Sequence, residues 1–105
     1  MDKVLHTLVG TWFICVTNFP MWLKGNKTHP TFNYSLVANQ ERTLLDEVKY
    51  RKNGKLATIT GYDLQDSTDP TTFIWRGKGI LSLLKSKWKV ALLDSSGQWA
   101  VIWFS

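Results

Sequence analysis

Apolar and polar residues alternate along much of this chain, and a two-residue period puts neighbouring side chains on opposite faces of an extended strand. In residues 31–38, Phe32, Tyr34 and Leu36 face one way while Asn33 and Ser35 face the other. Residues 43–51 set Leu44, Val48 and Tyr50 against Glu47, Lys49 and Arg51. Residues 86–93 set Trp88, Val90 and Leu92 against Lys87, Lys89 and Ala91. Runs rich in Val, Ile, Thr and aromatics predict further strands over 11–16, 56–64, 71–76 and 98–104, so that seven strands follow a short helical turn over 2–6.

Turn residues punctuate these runs. Lys52-Asn53-Gly54-Lys55 predicts a tight hairpin, because both central residues must accept positive φ and Asn-Gly does so readily. A long connection over 17–30 contains Pro20, Gly25, Asn26 and Pro30, and further turns fall at 65–70, at Gly77-Lys78-Gly79 and at 94–97. The apolar run from Ile80 to Leu84 fits either a short helix or a loop across one mouth of a barrel.

No repeat, low-complexity tract or linker divides the 105 residues, which predicts one domain over 1–105. Successive strands joined by short links form an up-and-down meander, and closing such a sheet removes its exposed edges. The expected fold is all-β, an antiparallel up-and-down β-barrel of about seven strands that is incomplete unless a partner covers its last edge.

Six tryptophans and five phenylalanines are many for this length. Each such ring buries about 150–250 Å², so core packing accounts for some of them and the lining of a cavity for others. The formal charge of +5 favours anionic partners in general. Cys15 has no second cysteine to pair with and lies in the apolar run Trp12-Phe13-Ile14-Cys15-Val16, which predicts a buried, inert thiol and suits a reducing compartment. No apolar run approaches the roughly 20 residues of a membrane span. The stretch from Val4 to Val16 lacks the basic start and small-residue cleavage site of a leader, so it reads as structure and the expected location is cytoplasmic.

Leu8-Val9-Gly10-Thr11-Trp12-Phe13 resembles the opening block of lipocalins, a Gly-x-Trp at the start of the first strand. Val90-Ala91-Leu92-Leu93-Asp94, running into Trp99-Ala100-Val101-Ile102-Trp103, is similar to that family's second block, an aspartate at a turn before an aromatic strand. The likeness extends from Leu8 onward and is nearest to bacterial lipocalins and the barrel domain of violaxanthin de-epoxidases. It implies roles for Gly10 at the strand entry, Trp12 as a plug of the closed barrel end, and Asp94 at the turn. It also implies a further strand, a packing arginine and a helix, none of which follows here before Ser105. An open seam between the first and seventh strands is therefore expected, with a homodimer as one means of covering it.

The expected function is binding or transport of a small hydrophobic, lipid- or fatty-acid-like ligand. Phe32, Tyr34, Leu36, Phe73, Trp75, Trp88, Val90, Trp99, Val101 and Trp103 are expected to line the cavity, with Trp22 as a gate. Tyr34, Tyr50, Tyr62 or Arg76 is available to anchor a carboxylate or hydroxyl. Whether these side chains line a hollow or fill the barrel is open at this point.

No catalytic role is expected. His6, His29 and Cys15 lack metal-ligand spacing, no nucleophile motif or phosphate loop is present, and Asp46, Asp63 and Asp66 read as solvated surface carboxylates. Neither a metal nor a cofactor is expected. The rival reading is a small β-barrel that binds single-stranded nucleic acid through Lys78, Lys85, Lys87 and Lys89 beside Trp75 and Trp88. Parity disfavours it, because those tryptophans alternate with Lys87 and Lys89 and the two sets face opposite ways. No nucleic-acid partner is expected on that ground.

Overall fold

The structure is a computed structural model that describes residues 3–15, 17, 27–79 and 85–104. A short helix, α1 (Lys3–Leu8), precedes seven strands: β1 (Gly10–Phe13), β2 (Lys27–Leu36), β3 (Thr43–Lys52), β4 (Lys55–Gln65), β5 (Thr72–Gly77), β6 (Lys85–Leu93) and β7 (Ala100–Phe104). Each strand pairs antiparallel with the next in chain order, giving one seven-stranded up-and-down sheet curled into a half-barrel. This is the expected all-β meander.

Between β3 and β4, Asn53 and Gly54 take φ of 53° and 81°, the pair of positive values that a two-residue hairpin requires. β2 starts earlier than the alternation predicts and runs through Pro30. The sheet tolerates this proline because its register with β3 shifts between Thr28 and Thr31, and His29 takes φ 54° there. β1 ends at Phe13, short of Val16, which lies outside the described residues. Cys15 is exposed rather than buried, since the strand stops before it and the parity of β1 no longer applies.

The core lies on the concave face, beneath α1. Leu5 and Leu8 of the helix pack with Tyr34, Leu44, Phe73, Trp88 and Val90, and Val4, Trp12, Phe32, Trp75, Leu93 and Ile102 close around them. Phe73 and Leu44 are fully enclosed. Burying each such side chain contributes about 1.5–3 kcal/mol.

With every neighbouring pair antiparallel, β1 and β7 run in the same direction. Joining them directly would need a parallel pair in an otherwise antiparallel sheet. They are not paired with each other; the half-barrel is open along this seam.

Candidate ligand cleft and buried acid pair

The seam between β1 and β7 is a cleft of about 1020 Å³. One wall is residues 7–15, the other is residues 97–104, and Phe32 and Tyr34 lie between them. On the first wall the Trp12 indole donates to the Leu8 carbonyl at 2.8 Å, tying the strand to the last turn of α1. Gly10 makes the entry into β1 at φ 129°, a conformation that a side chain rarely permits. On the opposite wall, Asp94 shapes the β6–β7 turn: its carboxylate accepts from the Gln98 N–H at 3.2 Å and from the Ser96 hydroxyl, which hold its pKa low. Gly97, in the same turn, lies against Thr7 of α1.

Behind the cleft, on the same concave face, stands a stack of rings. Trp88 lies between Tyr34, at a centroid distance of 6.0 Å, and Phe73, at 4.4 Å. The Trp88 indole donates to Asp63 Oδ1 at 2.9 Å. Asp63 is completely buried and Asp46 nearly so. The two come from paired strands, where Asp46 opposes Gly61 and Asp63 opposes Leu44, and their carboxyls are in hydrogen-bonding contact.

Burial pushes both carboxyls up. For Asp63 the negative charge of Asp46 and the bond to it add to that rise, against a lowering by Trp88. For Asp46 the bond to Asp63 works the other way and lowers it. Both carboxyls are thus held above the ordinary carboxylate value, and the pair as a whole tends to retain a proton. Burial also pushes the Tyr34 phenol well up, with both carboxylates adding to the effect, so Tyr34 lines the cleft while sensing the pair. Asp63 Oδ2 and Asp46 Oδ1 are buried with no hydrogen-bond donor among the described residues. Among the described residues, no lysine or arginine shifts either carboxyl.

The structure brings Phe32, Tyr34, Phe73, Trp75, Trp88 and Val90 together on the concave face. Leu36 shares their parity but sits at the strand end, half exposed. Trp99, Val101 and Trp103 do not join them. A bulge between Val90 and Leu92 shifts the register by one residue, so Ile102 opposes Val90 and faces the core, while Val101 and Trp103 turn outward. Those two and Trp99 are exposed and, with Phe32 and Tyr34, are among the residues that line the cleft, whereas Leu36, Phe73, Trp75, Trp88 and Val90 are not. Trp22 lies outside the described residues, as does the run from Ile80 to Leu84. Of the candidate anchors, Tyr34 and Tyr50 are buried, Tyr62 is half-buried and Arg76 is exposed.

The solvated reading of Asp46 and Asp63 is overturned, while Asp66 is exposed as expected. A signal was available in the alternation itself, because Asp46 has the parity of Leu44, Val48 and Tyr50, all of which are buried. Lys85, Lys87 and Lys89 point outward, opposite Trp88. Among the described residues no three His, Cys, Asp or Glu side chains cluster as a metal site would require, and no helix is long and apolar enough to cross a membrane. No protein-family model, curated protein or solved structure matches the chain.

Proposed function

We propose that the chain binds or transports a small hydrophobic molecule in the cleft between β1 and β7, in the manner of a lipocalin. The observation that carries this reading is the cleft itself. Its volume is that of a pocket for a lipid-sized molecule, and Leu8, Trp12, Phe32, Ile102 and Phe104 give it an apolar lining. Titration with 1-dodecanol, followed by tryptophan emission, tests it. Trp12, Trp99 and Trp103 line or border the cleft, so binding should give a saturable change in intensity or wavelength. A flat titration overturns the reading.

One observation favours the nucleic-acid alternative. Trp103, turned outward by the bulge, opposes Lys89 across β6 and β7, and Lys85 and Arg76 oppose each other further along the same face. An exposed ring beside cations is how single strands are held without sequence preference. Titration with a single-stranded oligonucleotide at two salt concentrations decides it: affinity that falls steeply with salt supports this face as the site, and no binding removes it.

A homodimer is the partner reading that the two edges support. β1 and β7 each have one strand neighbour, and Phe13 and Trp103 on them are 74% and 67% exposed. Unpaired edges flanked by large apolar side chains recruit other chains. Sedimentation showing only monomer at micromolar concentration removes this reading and leaves the cleft reading standing.

A further inference from the structure

The outer face of the sheet carries its charge unevenly. Among the described residues, the outward positions of β4 to β7 hold the cations Arg76, Lys85, Lys87 and Lys89 and no carboxylate. Arg76 and Lys85 lie directly opposite each other on β5 and β6, where like charges repel. Asp69, in the turn before β5, is bridged to Lys89 at 3.5 Å, and the outward acid Glu47 lies on β3, where it opposes Thr60 of β4. Large apolar side chains are interleaved with the cations. Leu64 and Ile74 oppose each other on β4 and β5 and are 53% and 44% exposed, and Ile74 in turn opposes Lys87. Trp103 opposes Lys89, and the exposed Val101 opposes the exposed Leu92.

We infer that this face docks on an anionic lipid bilayer. Arg76 and Lys85 meet the acidic headgroups, which compensate their mutual repulsion, while Leu64, Ile74 and Trp103 enter the interfacial layer, where tryptophan is favoured. The aliphatic side chains decide between a bilayer and the other polyanion, nucleic acid. Single strands are held on successive rings that stack the bases. Trp103 is the one exposed ring at the outward positions of β4 to β7 among the described residues, and Leu64 and Ile74 give bases nothing to stack on. Val101 and Trp103 also line the cleft between β1 and β7, so docking brings the rim of the cleft to the membrane. A hydrophobic ligand then passes between bilayer and cleft without crossing water; this last step alone rests on the cleft reading.

Co-sedimentation of the full chain with vesicles tests this, using phosphatidylcholine alone and phosphatidylcholine mixed with phosphatidylserine, at low and at physiological salt. Binding to the serine-containing vesicles is expected to be at least about tenfold tighter and to weaken as salt is raised. Tryptophan emission should shift to the blue on binding, and Trp103→Phe should reduce that shift.

Arg76→Gln combined with Lys85→Gln relieves the repulsion between the strands, so folding is not threatened, and should weaken binding to the serine-containing vesicles about tenfold. Ile74→Gln keeps every charge and should weaken it about threefold. Near-UV circular dichroism checks that each variant folds, and the wild-type comparison of the two vesicles stands without them. No binding to either vesicle, equal binding to both, or binding that the paired substitution or Ile74→Gln leaves intact overturns the inference. Binding to a single-stranded oligonucleotide with none to vesicles also overturns it and gives the face to nucleic acid. A flat dodecanol titration beside intact binding to serine-containing vesicles removes the cleft reading and leaves the docking face in place.

Discussion

Trp88 and Asp63, twenty-five residues apart in sequence, are joined at 2.9 Å from indole nitrogen to carboxyl oxygen in the buried interior. The ring stacks on Phe73 while its N–H donates to the buried Asp63 carboxyl, whose other interaction is with Asp46 among the described residues. Trp88→Phe retains an aromatic ring but leaves Asp63 Oδ1 without its donor. A buried polar group left unpaired costs about 1–3 kcal/mol, to which the smaller ring adds a packing loss. A fall in stability of about 2–4 kcal/mol by urea unfolding is expected. A change within error would mean that Asp63 finds water in place of the indole.

The pair also sets a pH dependence. Burial raises the pKa of Asp63 and of Asp46 above the ordinary carboxylate value of 3.8, so the folded state holds a proton that the unfolded chain releases. Their contribution is therefore fully present below that ordinary value and is lost as pH rises through the raised ones. Asp66, Asp69 and Asp94 act in reverse. Hydrogen bonds from Thr68, from Thr71 and Thr72, and from Ser96 lower them, so their contribution is present above the ordinary value and is lost as acid titrates them. Stability should pass through a maximum in mildly acidic solution. Asp63→Asn replaces the protonated acid by a neutral amide and should flatten the decline on the alkaline side only, measured by urea unfolding from pH 4 to 9. An unchanged alkaline limb would show that the proton is not held at Asp63.

Gly61 faces the interior where the Trp75 ring crosses β4. A Cβ there would overlap the Trp75 indole and come within 2.6 Å of the Arg76 carbonyl oxygen, a contact that backbone cannot relieve by turning a side chain. Gly61→Ala should cost about 1–3 kcal/mol through overpacking. Trp75→Leu removes the larger obstacle, so the double variant should lose less than the sum of the two single ones. Strict additivity would place the strain in the backbone alone.

How far the alternation could be followed depends on where strands bend. Val48 and Tyr50 against Lys49 and Arg51 were readable because β3 and β4 stay in register along their whole length, closed by Asn53-Gly54. The outward turn of Val101 and Trp103 was not legible because one extra residue in β6 inverts every later position, and a bulge at Ala91 has no glycine or proline to announce it; both still line the cleft. Pro30 misled in the opposite direction, since a bulge lets a strand pass a residue that normally ends one. Asp46 and Asp63 were hidden by their residue type. Carboxylates are expected at the surface, and only the cross-strand meeting of the two lets one proton hold them both inside.

The β1 wall of the cleft is tied through the Trp12 indole to a helix too short to be stable alone. α1 has six residues, and isolated helices shorter than about 12–15 residues are marginal in water. It persists because Leu5 and Leu8 are buried against the sheet, and because the Leu8 carbonyl, at the helix end, accepts from the Trp12 indole at 2.8 Å. Trp12→Phe keeps most of the packing and removes the donor, leaving a carbonyl of a buried residue without that bond. A loss of about 1–2 kcal/mol is expected, and it should fall on α1 first. Amide hydrogen exchange tests the location: protection should drop across residues 3–8 while the amides of β3 and β4 keep theirs. Equal loss in all three would make the helix part of one cooperative unit with the sheet, and Trp12 a determinant of the whole fold rather than of α1 alone.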